Sequence, residues 1–81
     1  MFEIYGRSGC SYCEQAKALL ETKGKTYDYY DIQADARRLA IFKGLFPGAK
    51  TVPQIMERDA SGFLIRVGGY TDLVTYLHQM S

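Results

Sequence analysis

The sequence predicts an α/β chain with the element order β-α-β-α-β-β-α, and three observations carry that expectation. Apolar positions switch repeatedly between strand-like alternation and helical spacing within 81 residues. Turn residues fall at the switches: Gly6-Arg7-Ser8-Gly9, Gly24, Pro47-Gly48 and Gly68-Gly69. The run Arg58-Asp59-Ala60-Ser61-Gly62 joins two strand patterns directly, as in a hairpin.

Each element follows from its residues. Phe2-Glu3-Ile4-Tyr5 alternates as a strand does. From Cys13 to Lys23 the apolar positions Cys13, Ala16, Leu19 and Leu20 share a helical face, and Gly24 stops the helix. Thr26 to Ile32, with Tyr27, Tyr29 and Tyr30, reads as a second strand. A helix between two strands makes a βαβ unit, so these strands should be parallel with a right-handed crossover. Asp35 is placed to cap a second helix whose face is Leu39, Phe42 and Phe46. Val52 to Glu57 and Phe63 to Val67 form the hairpin. Thr71 is the expected cap of a last helix with Leu73, Val74 and Leu77 inward, and Asp72 suits its positive end.

Composition narrows the function. A chain this short makes one domain, residues 1–81, burying only about 60–65 % of the surface its unfolded form exposes. Ten Lys and Arg against nine Asp and Glu are scattered, with Arg37-Arg38 the only adjacent basic pair, so no stripe for a nucleic-acid backbone is present. The seven tyrosines therefore read as core and half-buried strand residues rather than base-stacking platforms. No window reaches the ~20 apolar residues of a membrane span. Met1-Phe2-Glu3-Ile4-Tyr5 has none of the marks of a secretory signal, so the expected location is the cytosol.

The chemistry concentrates in Cys10-Ser11-Tyr12-Cys13, which holds both cysteines of the chain on a strand-to-helix turn. A closed zinc site wants four ligands, and the other soft donor here is the distant His78. A structural bridge across so short a loop removes little unfolded-state entropy. The pair therefore reads as redox-active. Disulfide exchange needs a thiolate, and Cys10 sits where the first helix begins, facing unpaired N–H groups and the positive end of the helix dipole. Arg7 adds positive potential. Cys13, one turn further in, points towards the core, so Cys10 is the expected nucleophile and Cys13 the resolving thiol. Ser11 with Glu14 also fits a capping box, in which the helix starts one residue later and Ser11 serves stability alone. Tyr12 should be exposed, either as a plain surface aromatic or as a wall for a substrate.

Two further segments stand out. Pro53 in Thr51-Val52-Pro53-Gln54 opens a strand or belongs to a cis turn, and the residues leave both open. Gly68-Gly69-Tyr70-Thr71-Asp72 is a turn and helix cap whose backbone N–H groups are also approachable by a carboxylate, with Asp72 available to an ammonium.

Taken together, Gly6-Arg7-Ser8-Gly9-Cys10-Ser11-Tyr12-Cys13, Tyr30-Asp31-Ile32, Thr51-Val52-Pro53-Gln54-Ile55 and Gly68-Gly69-Tyr70-Thr71-Asp72 resemble the glutaredoxins, nearest the small bacterial and phage members. The resemblance spans the whole chain in order. It implies a thioredoxin-like fold with a four-stranded mixed sheet flanked by helices. It also implies a monomeric, glutathione-dependent thiol-disulfide oxidoreductase that binds no cofactor and takes glutathione as reducing co-substrate. Its partners would be glutathione and disulfide-containing proteins, ribonucleotide reductase among them. Cys10 and Cys13 would be catalytic. Arg7, Tyr12, Thr51, Val52, Pro53, Gly69, Tyr70, Thr71 and Asp72 would bind glutathione, with Arg7 at the glycyl carboxylate, Val52-Pro53 pairing with the tripeptide backbone, and Asp72 at the amino group. The chain departs from the family's usual Cys-Pro-Tyr-Cys by carrying Ser11. Members with serine there include holders of a [2Fe-2S] cluster between two subunits, which makes a cluster-binding dimer the alternative reading. Thioredoxin reductase as reductant is a third. The segment Arg58 to Arg66 is longer than in the smallest relatives.

Overall fold

The computed structural model describes residues 1–80. Seven elements run in the expected order: β1 (Phe2–Gly6), α1 (Ser11–Thr22), β2 (Tyr27–Asp31), α2 (Ala36–Leu45), β3 (Gln54–Arg58), β4 (Leu64–Gly68) and α3 (Tyr70–Met80). The four strands form one mixed sheet in the order β2-β1-β3-β4. β1 pairs parallel with β2, Phe2 opposite Tyr27 and Gly6 opposite Asp31, as the βαβ reading requires. β3 runs antiparallel to β1 and to β4, with a register shift between Ile55 and Met56.

Alternation along β1 divides the core. Phe2 and Ile4 face α1 and α3, packing with Ala16, Leu20, Ile55, Leu73 and Leu77. Tyr5 faces the other way, into an aromatic cluster with Phe42, Phe46 and Met56 under α2. Tyr5 lies 6.0 Å from the Phe42 and Phe46 rings, and those two are 5.6 Å apart. Helices on both faces thus leave the sheet ends, where the loops gather, as the open part of the fold.

Several boundaries differ from expectation, each for a local reason. Ser11 is the first residue of α1 and not its cap; the cap is Cys10, whose sulfur accepts from the Cys13 N–H. Glu14 turns away from the helix start and pairs with Lys17 at 2.8 Å. The second helix ends at Leu45, so Phe46 fills the core from the C-cap position. β3 begins at Gln54, leaving Val52 and Pro53 in the preceding loop. The bond between them is cis. Thr71 is inside α3 and caps nothing; the Asp72 carboxylate reaches back one turn to the Gly69 N–H at 2.9 Å and stabilises the helix start instead. Val74 is 42 % exposed, and Tyr70 and Tyr76 complete the inner face in its place. Gly24 and Asp35 act as expected: Gly24 takes the left-handed conformation (φ 69°) after α1, and the Asp35 carboxylate accepts from the Arg37 and Arg38 N–H groups. In the β3–β4 loop, Asp59 accepts from the N–H groups of Ser61 and Phe63, closing a tight turn. Among the described residues no helix is long and apolar enough to cross a membrane.

Tyr76 joins α3 to the sheet by donating to the Glu57 carboxylate. That bond pushes the phenol up to about 12 from its ordinary 10.0. A phenol with a raised folded-state pKa stabilises the fold fully below its unfolded pKa, and that contribution fades as pH climbs through the folded value. Denaturation followed from pH 10 to 12 should therefore show stability falling with pH, and Tyr76→Phe should remove part of the slope. Equal slopes in the two proteins would mean the bond to Glu57 contributes nothing.

Candidate active site at the amino end of helix α1

Three connections meet at one end of the sheet: residues 7–10 after β1, residues 49–53 before β3, and Gly69 between β4 and α3. Cys10 and Cys13 are joined as a disulfide at the mouth of this junction, with Cα atoms 5.2 Å apart. Cys10 is extended (φ −93°, ψ 107°), which turns its sulfur onto the first turn of α1, where it accepts from the Cys13 N–H at 3.1 Å. The same sulfur lies 3.8 Å from the Val52 carbonyl oxygen. Cys10 keeps 6 % exposure and Cys13 none. In this oxidised form Cys10 is more buried than its place in a turn suggests, yet it is the residue of the pair that keeps any exposure.

The loop carrying Cys10 is anchored from β2. The Asp31 carboxylate accepts from Ser8 Oγ at 3.1 Å and from the N–H groups of Gln33 and Ala34 at 2.9 and 3.1 Å. Those amides hold its carboxyl below the ordinary range. Tyr29 donates to the Arg7 carbonyl at 3.1 Å, and burial pushes its phenol up. Lys17 lies 4.3 Å from the centre of the Tyr29 ring. Gly6 is where this support meets the disulfide: a Cβ there would stand 2.5 Å from the Tyr29 oxygen and 2.8 Å from Cys13 Sγ.

A groove of about 360 Å³ runs past the disulfide, lined by Tyr12, Thr51, Val52, Pro53, Gly69, Tyr70 and Thr71. Seven of the nine residues expected at a ligand site are therefore brought together. Tyr12 is 58 % exposed and stacks on Tyr70, ring centres 5.7 Å apart, so two residues of separate motifs form one aromatic wall. The other two are placed differently. Asp72 does not line the groove, because its carboxylate caps α3 through Gly69. Arg7 lies in an adjoining cavity of about 570 Å³, which shares Thr51 and Val52 with the groove. Sequence reading missed Tyr29 as a support of the redox loop. Asp31 was visible as part of Tyr30-Asp31-Ile32, and its signal as an anchor is that of an Asx turn. Among the described residues no group of three or more His, Cys, Asp or Glu is placed to hold a metal ion.

A mixed sheet between helices, with a Cys-x-x-Cys disulfide at a helix start beside a cis-proline loop, defines a thioredoxin-like thiol-disulfide oxidoreductase. The glutaredoxin family model matches residues 2–59. The chain is 33 % identical over 82 residues to glutaredoxin 1 of Escherichia coli, covering 94 % of this chain and 91 % of that protein. It is 40 % identical over 72 residues to glutaredoxin 3 of E. coli, covering 88 % and 78 %. Its backbone superposes on a buckwheat glutaredoxin–glutathione complex with a TM-score of 0.74 at 21 % identity, over 96 % of this chain and 68 % of that one, a likeness of fold. The chain belongs to the glutaredoxin family.

Gly6→Ala should force Tyr29 or Cys13 to move and lower stability by about 1–3 kcal/mol, the ordinary cost of overfilling a packed site. Adding Tyr29→Phe should return part of the loss, since it removes the nearer of the two atoms. A Gly6→Ala protein that melts like the parent would show the site to be looser than described.

Proposed function

We propose that the protein reduces protein disulfides and glutathione mixed disulfides at the expense of glutathione, working as a monomer with Cys10 as nucleophile and Cys13 as resolving thiol. The observation that carries this reading is the groove beside the disulfide, whose volume of about 360 Å³ falls in the range of small-molecule sites. Its walls suit an extended tripeptide: main chain at Thr51–Pro53, the amino end of α3 at Gly69–Thr71, and aromatic faces at Tyr12 and Tyr70. The buckwheat relative is described as a complex with glutathione, which supports the same ligand here.

The steps follow from which sulfur is reachable. In the reduced protein the Cys10 thiolate attacks one sulfur of a protein disulfide, forming a mixed disulfide and releasing the partner's other sulfur as thiolate. Cys13 loses its proton and attacks Cys10 Sγ; the Cys10–Cys13 bond forms and the second substrate thiolate leaves. The substrate has gained two electrons and the protein has lost two. A glutathione thiolate then attacks Sγ of Cys10, the less buried residue of the pair, and frees Cys13. A second glutathione attacks the glutathionyl sulfur, giving glutathione disulfide and the Cys10 thiolate. When the substrate is a glutathione mixed disulfide, Cys10 attacks the glutathionyl sulfur and Cys13 is not needed.

Arg7 serves the glycyl carboxylate from the adjoining cavity, approached across the shared Thr51 and Val52. Asp72 serves the amino group only after exchanging or sharing its bond to Gly69, or acts there by holding the Gly69–Tyr70 turn. Among protein substrates, the disulfide of ribonucleotide reductase is the one that the family resemblance points to.

In a glutathione-coupled assay, Cys10→Ser should abolish reduction of both substrate types. Cys13→Ser should keep reduction of a small glutathione mixed disulfide within a few-fold of the parent while losing most activity on a protein disulfide. Full activity of Cys10→Ser would reverse the assignment, and a reductant supplied equally well by thioredoxin reductase would remove the glutathione dependence.

A further inference from the structure

The cavity beside the glutathione groove has a composition of which the reactions above use only Arg7. Its floor is apolar: Phe42, with half-buried Ile32, Leu39, Ala49 and Val52, is the open side of the α2 core cluster. Its rim carries Arg7, Lys43 and Lys50, and no carboxylate residue lines it. Among the described residues the ion pairs are Lys17–Glu14 and Arg58–Glu3, so the three rim cations have no acidic partner among those residues. Three unpaired cations round one apolar cleft are a local concentration of charge in a chain whose net charge is +1. The Asp31 carboxylate that anchors the redox loop is already engaged by Ser8, Gln33 and Ala34.

Position ties this cleft to the reaction. It shares Thr51 and Val52 with the groove, and the Val52 carbonyl is 3.8 Å from Cys10 Sγ. A chain covalently held at Cys10 during turnover can therefore lay its flanking residues into the cleft. At about 570 Å³ the cleft has room for side chains beyond a single glycyl carboxylate. We propose that Lys43 and Lys50 dock an acidic segment of the disulfide-bearing protein substrate, one that sets an apolar side chain on the Phe42 floor and its carboxylates on the rim. The proposal rests on the reading of Cys10 as nucleophile and adds a substrate preference to it. Charge complementarity of this kind raises association rate and selects among partners more than it adds affinity.

The test uses the full chain with Lys43→Glu and Lys50→Glu together, leaving Arg7 untouched. Three probes are compared: a mixed disulfide of glutathione with a small neutral thiol, and two peptide disulfides of equal length, one with Asp and Glu beside the cysteine and one with Lys. The parent should prefer the acidic peptide in kcat/KM by about tenfold, a preference that shrinks at high salt. The double variant should lose or reverse that preference, read as the ratio of kcat/KM for the two peptides so that any change in glutathione binding through the shared cavity cancels. Equal kcat/KM for the two peptides in the parent, or a preference untouched by charge reversal, overturns the docking role. Failure of the parent on the small probe would instead strike at the proposed reaction. Thermal melting of the variant, expected to match the parent because both lysines are exposed, separates misfolding from lost docking.

Discussion

The structure turns on one contact: the Cys10 sulfur held at the first turn of α1, 3.1 Å from the Cys13 N–H. A sulfur in the N-cap position occupies the place where serine or aspartate normally offers an oxygen to unpaired amides. Such a site favours negative charge, and under the proposed mechanism it is what would hold Cys10 as a thiolate once the disulfide opens. The same geometry places Cys13 one turn inward, where it is fully covered. The proposed division of labour between the sulfurs would thus follow from helix pitch rather than from different chemistry.

Keeping that sulfur in place is the work of groups remote in sequence. β1 delivers the loop, and β2, its parallel neighbour, ties it down through Asp31 to Ser8 and Tyr29 to the Arg7 carbonyl. β3 brings the Val52-Pro53 loop against the sulfur from the opposite side. The β4–α3 turn then closes the groove, with Tyr70 stacked on Tyr12. Each strand of the sheet contributes one wall, and the mixed order β2-β1-β3-β4 gathers them round the carboxyl end of β1.

Much of this was legible in the residues. Periodicity and turn glycines give every element in order, because the 2.0 and 3.6 repeats change abruptly at Gly6, Gly24 and Gly68. The groove was legible because its residues cluster in three short motifs. What sequence reasoning misplaced was decided by competition for single hydrogen bonds. Ser11 and Thr71 both have capping chemistry, but Cys10 and the Asp72–Gly69 bond already hold the helix starts. Asp72 reads as a group open to an ammonium, and the structure adds a bond to the Gly69 N–H that the sequence did not show. Tyr29 could not be singled out, since its role depends on Gly6 and Cys13 meeting it across a parallel strand pair. The Val52–Pro53 isomer is likewise not written in local sequence, where both forms are accessible to a proline bond.

The proposed electron transfer requires Cys10 to be an anion once the disulfide is opened. Ultraviolet thiolate absorbance of the reduced protein, followed against pH, reports it directly. One thiol should ionise well below the ordinary cysteine value of about 8.5, disappear in Cys10→Ser and persist in Cys13→Ser. Two thiols titrating at or above that value would contradict the anion-holding role of the α1 terminus and the mechanism built on it.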